Sequence, residues 1–346
     1  MGALSTPLLV VVFVAGGAAT WVAGVFLSNT TDALDDRFGL GEALGGLILL
    51  AIAGTLPEIA ITVSAARAGH LDLAVGNLIG GVAVQTLVLV VLDAVSGPER
   101  PLSYLVGSLL PVIEALMVMA VLGTALGGAA LSPSKNVFGA SPTSIAAVAL
   151  WLIGLWIVNR ARLRPEWHIE APPGASPGRR SHRQGDRHPY QQASTAVVLA
   201  IFLAAAIVTL VAGVALQDSG SLLAERAHIG GAVFGATVLA FATALPEISS
   251  GIAAVRLGDM QLAVGDILGG NSFQITLLLV ADLIAGTPVI VAAHHSDVWL
   301  GAAGMLMTGI AAMAIIARPQ RTYLWLGIDS VALVAVYAVA IALLPK

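Results

Sequence analysis

The 346-residue chain contains no cysteine. That excludes disulfides, thiolate metal centres and cysteine nucleophiles. Charge is scarce as well: 10% of the residues are Asp, Glu, Lys or Arg, where soluble domains carry roughly 25%. The few charges nearly cancel, to a formal −4, so net charge points to no nucleic acid and says little about partners. The opening residues, MGALSTPLLVVVFVAGG, lack the basic stretch of a signal peptide and read as a retained first span. HExxH and paired-aspartate signatures are missing too, and the single GxSxG match, Gly174 to Gly178, falls in a Pro- and Gly-rich polar stretch, which argues against an intramembrane enzyme.

Apolar residues take the place of charge. They make up 58% of the chain, with 38 glycines among the rest, and they fall in runs of about 20 residues, the length that crosses a bilayer. Ten spans are expected, over residues 6–28, 41–68, 71–95, 102–128, 143–160, 195–218, 229–257, 260–286, 296–317 and 322–344. The fold class is therefore an all-α integral membrane protein, with the lipid bilayer as a partner. The one long polar stretch, 161–194, is rich in Pro, Gly and Arg and reads as a flexible linker. Its histidines, His168, His182 and His188, show no ligand-like spacing. With the N-terminus outside, 12 Lys and Arg fall in cytoplasmic loops and 4 outside. Positive residues favour the cytoplasmic side, so both termini are expected outside the plasma membrane.

A segment that occurs twice turns these spans into an architecture. Residues 50–93 and 239–282 align without a gap at an offset of 189 and agree at 20 of 44 positions. Both contain Leu-Pro-Glu (Leu56, Pro57, Glu58; Leu245, Pro246, Glu247), Leu-Ala-Val-Gly and a glutamine at the same place (Gln85; Gln274). The copies begin on spans 2 and 7, an odd offset, so they cross the membrane in opposite directions. Residues 1–160 and 195–346 then form two inverted five-span halves, the secondary-transporter pattern. Proline removes a backbone donor, which frees carbonyls beside each glutamate. A carboxylate inside an apolar run is costly, and its presence in both copies points to a paired cation site built on Glu58 and Glu247.

GTLPE followed by GNLIGG, and ATALPE followed by GDILGG, resemble the two alpha-repeats of the calcium/cation antiporter superfamily. Its members include sodium/calcium and proton/calcium exchangers. The resemblance implies a cation held between spans 2, 3, 7 and 8, with Glu58 and Glu247 as the repeat glutamates. It implies polar ligands at Thr55 and Thr243, with Gly54 and Ala244 at the other matching positions, and carbonyl ligands at Ala51 and Ala240. This chain also departs from the sodium/calcium pattern. The Gly-Ser-Asn turns of those exchangers match Gly80-Gly81-Val82 and Gly269-Gly270-Asn271, and Gln85 and Gln274 stand where they carry Asn or Asp. Gln at the place of Gln274 is similar to proton/calcium exchangers.

Charge counting leads the same way. One divalent cation or two protons neutralise two carboxylates, which suits a low-dielectric site. Three sodium ions would leave an excess charge. The expected function is thus a Ca2+/H+ antiporter working by alternating access, with no permanently bound cofactor. A Na+/Ca2+ exchanger, an antiporter for Mg2+, Mn2+ or Na+, and a cation channel are the alternatives, because oxygen ligands suit hard cations without separating them. Asp266, the counterpart of Asn77, and Glu114, placed midway in span 4, are possible proton relays. Asp93 and Asp282 sit near span ends as ordinary interfacial carboxylates, and His294, His295 and Asp297 read as an interfacial loop rather than a metal cluster. Monomer and homodimer remain equally open.

Overall fold

The computed structural model describes residues 4–38, 54–131, 139–162, 190, 193–256, 258–323 and 325–344. Ala51, the first half of the second expected span and nearly all of the 161–194 linker with its histidines lie outside the described residues.

Among the described residues, a principal helix stands at each of the ten expected spans. These helices are α1 (Thr6–Phe38), α2 (Leu56–Ala68), α3 (Leu71–Ser96), α4 (Leu110–Ala130), α5 (Pro142–Arg162) and α6 (Thr195–Arg226). Then come α7, in two pieces (Gly235–Thr243 and Leu245–Arg256), α8 (Met260–Ala285), α9 (His295–Ala317) and α10 (Ile328–Ala342). Seven of them are long and apolar enough to cross a membrane, and the bent α7 pair makes an eighth. The chain is an all-α membrane protein.

Two of the expected spans differ in the structure. The fourth span breaks into a short turn, Leu102–Leu105, and α4, because Gly107 takes a positive φ of 63° between them. Glu114 consequently stands in the second turn of α4 rather than midway along a span. The tenth span begins late, since Thr322–Tyr323 and Leu326–Gly327 pair as a two-stranded hairpin. The 15 residues of α10 reach about 22 Å, less than the roughly 30 Å of a hydrocarbon core.

The outer surface is apolar and the interior carries the polar groups, the inverse of a soluble domain. Val11, Val14, Ile207 and Val211 on α1 and α6 are exposed, whereas Glu58, Gln85, Asn77, Glu247, Asn271 and Gln274 are buried. α1 and α6 pack along their length and run antiparallel. At one end Arg226 donates to the Leu4 carbonyl (2.8 Å) and the Thr6 hydroxyl. At the other, Arg37 donates to the carbonyls of Tyr190 and Ala193 and to the Thr195 hydroxyl. α2 rests on α6 as the second piece of α7 rests on α1.

Candidate cation site

Each Leu-Pro-Glu stands at the start of a helical segment. Pro57 lies in the first turn of α2, after Thr55 has left helical geometry at φ −94°, ψ 15°. Pro246 does the same for the second piece of α7, which bends by 47° from the first. Proline suits this position because the first helical N–H has no partner to lose. Each glutamate is therefore the third residue of its helical segment, in the first turn, where unpaired backbone amides favour negative charge.

The tertiary structure brings the two glutamates together. Glu58 is fully buried and Glu247 is 4% exposed, and the two carboxyl groups lie within electrostatic reach of one another. Gln85 of α3 donates its amide Nε2 to Glu58 Oε1 at 3.0 Å. The hydroxyl of Thr243, from the other half, lies beside the same carboxylate and donates to the Ala240 carbonyl at 3.0 Å. That carbonyl also accepts from Ala244 N–H, so both its lone pairs are engaged.

Acceptor atoms without donors recur on the elements that carry the repeat. Glu58 Oε2, both Glu247 carboxylate oxygens, Gln85 Oε1, Gln274 Oε1 and Asn77 Oδ1 are buried with no hydrogen-bond partner among the described residues. Buried polar atoms are nearly always satisfied, so six oxygens of this kind on α2, α3, α7 and α8 call for a positive species. Gln274 itself turns its amide nitrogen to the carbonyls of Asn77 and Leu78. Thr55 is buried nearby in the chain, just before Pro57. Asn77 was singled out in the sequence only as the counterpart of Asp266. Its orphaned amide could not be read there, because burial is a tertiary property.

The remaining acids divide by role. Asp266 accepts from the Ser250 hydroxyl at 2.7 Å, and the same hydroxyl lies 3.2 Å from the Glu247 carbonyl, which links Asp266 to the helical turn that carries Glu247. Glu114 is buried against α8: a Cβ on Gly265 would come within 3.0 Å of its carboxylate. Asp93 and Asp282, near the ends of their helices, are buried inside the protein rather than solvated. Asp93 accepts from Leu102 N–H, Gly327 N–H and the Ser330 hydroxyl at 2.6–2.7 Å. Asp282 accepts from Val289 N–H at 2.6 Å and Ser141 N–H at 2.8 Å. Each ties its own helix to the next segment of the same half and to one of the other half. His294 and Asp297 form a reciprocal cap at the start of α9, and among the described residues no three His, Asp or Glu side chains are grouped to hold a metal.

Comparison with known proteins bears on this arrangement. The sequence model described as sodium/calcium exchanger protein matches residues 8–160 and 197–344. The inner membrane protein YrbG of Escherichia coli (strain K12) is 28% identical over 250 residues, 70% of this chain and 69% of that protein. Among solved structures, the fold is similar to the sodium-calcium exchanger NCX_Mj (TM-score 0.61, 18% identity, 99% of this chain and 100% of that one). It is also similar to the H+/Ca2+ exchanger CAX (TM-score 0.67, 13% identity, 98% and 82%).

Proposed function

Because this chain belongs to the sodium/calcium exchanger protein family, a family of membrane cation exchangers and not of enzymes, we propose that it exchanges Ca2+ for H+ at Glu58 and Glu247. The observation that carries this reading is the set of six buried acceptor oxygens without donors, three of them from these two carboxylates. In a low-dielectric interior an uncompensated pair of carboxylates is expensive. One divalent cation or two protons neutralises it, and only a neutral site crosses between the two sides readily. Exchange follows from that penalty: the site releases Ca2+ on one side when protons take its place.

Gln85 orients Glu58 and offers its own Oε1, and Gln274 offers Oε1 from the other half. Thr55, Thr243 and the carbonyls of Ala51 and Ala240 complete the set of candidate ligands by position, with the Ala240 carbonyl the least available of them. Asp266, linked to the Glu247 turn through Ser250, and Glu114, against Gly265 of α8, are proposed as proton relays. The linker side of the protein, carrying Arg37 and Arg100, is placed in the cytoplasm, in keeping with the excess of positive residues there.

The sodium/calcium exchange named in the family description is the competing reading, and two gradients separate them. In proteoliposomes, a pH gradient should drive Ca2+ uptake and a sodium gradient should not. Glu58→Gln and Glu247→Gln should each abolish uptake while leaving thermal unfolding cooperative. Uptake driven by sodium alone, or retained in either variant, would overturn the proposal.

A further inference from the structure

The two glutamines occupy equivalent places in the repeat but do different things. Gln85 directs its amide nitrogen to a carboxylate. Gln274 directs Nε2 across the molecule to two backbone carbonyls of the opposite half, Asn77 O at 3.0 Å and Leu78 O at 2.8 Å. Both carbonyls belong to the wide π turn Gly76–Gly80 within α3, a departure from regular helix that clusters at functional sites.

Chemistry and space fit this amide closely. A primary amide nitrogen has two hydrogens, and here it meets two acceptors. Room for it comes from Gly81: a Cβ there would lie 3.2 Å from Gln274 Nε2 and 3.3 Å from Ala240 Cβ. Any side chain at position 81 would compete with the amide for the same volume. Two buried carbonyl oxygens converging on one point are also what a small hard cation seeks, and the amide nitrogen presents partial positive charge at that point without carrying a full one.

We propose that the Gln274 side-chain amide is a tethered stand-in for a co-bound monovalent cation, capping the Asn77 and Leu78 carbonyls through the whole cycle. Charge in the site is then confined to Glu58 and Glu247, and no sodium ion is needed beside the transported one. The consequence for coupling rests on the two-glutamate reading above; the capping geometry does not. Gln274 is thereby a specificity-determining residue, acting through what it excludes.

Gln274→Glu keeps the length and shape of the side chain but sets an oxygen against both carbonyls, so that a cation is needed to bridge them. With purified protein in detergent, at alkaline pH, without Ca2+ and with sodium exchanged for choline at constant ionic strength, wild type should melt at one temperature throughout. The Gln274→Glu protein should melt at a temperature that climbs with the logarithm of sodium concentration and should bind radioactive sodium saturably. A folded Gln274→Glu protein that ignores sodium would overturn the proposal, as would wild type stabilised by sodium to the same degree. Should Gln274→Glu fail to fold, Gln274→Asp carries the same charge with more room, and the same outcomes decide. These readouts measure sodium binding alone. Loss of proton-driven Ca2+ flux in wild type would therefore sink the coupling assignment and leave the capping intact.

Discussion

Glu58 is clamped and Glu247 is not, although the two residues are equivalent in the repeat. Gln85 gives Glu58 a charge-assisted bond at 3.0 Å, whereas neither oxygen of Glu247 has a donor among the described residues. Such bonds contribute about 1.5–3 kcal/mol. Gln85→Leu removes both this bond and a candidate ligand oxygen, so Ca2+ affinity should fall roughly tenfold or more. Isothermal calorimetry in detergent would measure it, and an unchanged Kd would remove Gln85 from the site. The paired glutamates and glutamines were legible in the sequence, because a carboxylate in an apolar run is costly and here it recurs at the same place in both copies. Which glutamine faces which partner was not, since the copies match in composition and differ only in what packs against them.

Among the elements, the ends of α3 and α8 matter more than their sequence suggested. Asp93 and Asp282 look like interfacial carboxylates when read along the chain. In the fold they are buried hubs that gather donors from neighbouring segments, Asp93 reaching α10 from the first half and Asp282 reaching the start of α5 from the second. Alanine at either position strands two or three buried donors, each costing about 1–3 kcal/mol. Asp93→Ala should lower the melting temperature more than Asp282→Ala, because it loses three bonds against two. Thermal unfolding of the purified variants would show this ordering, and a wild-type Tm in both would mean that the hubs do not hold the halves together. Misplaced element boundaries have the same origin: the hairpin before α10 and the break before α4 are held by contacts between distant segments, such as Thr322 donating to the Pro98 carbonyl.

For the molecule as a whole, the lack of cysteine becomes an experimental advantage. Any cysteine introduced is the only one, so its labelling reports one position without background. Glu99 and Glu225 are both exposed, and the proposed orientation puts them on opposite sides. In intact cells an impermeant maleimide should label Glu225→Cys at once and Glu99→Cys only after permeabilisation. The reverse pattern would invert the assignment and, with it, the side on which the linker and Arg37 lie. The antiparallel seating of α1 on α6, with an arginine at each end, joins the two parts of the chain along their length.

Sequence alone determined the all-α membrane class, and it made the duplication and its two glutamates visible. Each of these rests on a property carried along the chain: hydropathy, length, recurrence and the cost of charge in an apolar run. Only the tertiary structure decided which buried oxygens lack donors, that Asn77 stands among them, that Asp93 and Asp282 join the halves, and that Gln274 caps backbone carbonyls of the opposite half. Those are relations between segments distant in sequence. A repeat makes its two copies look alike, and packing against different neighbours is what sets them apart.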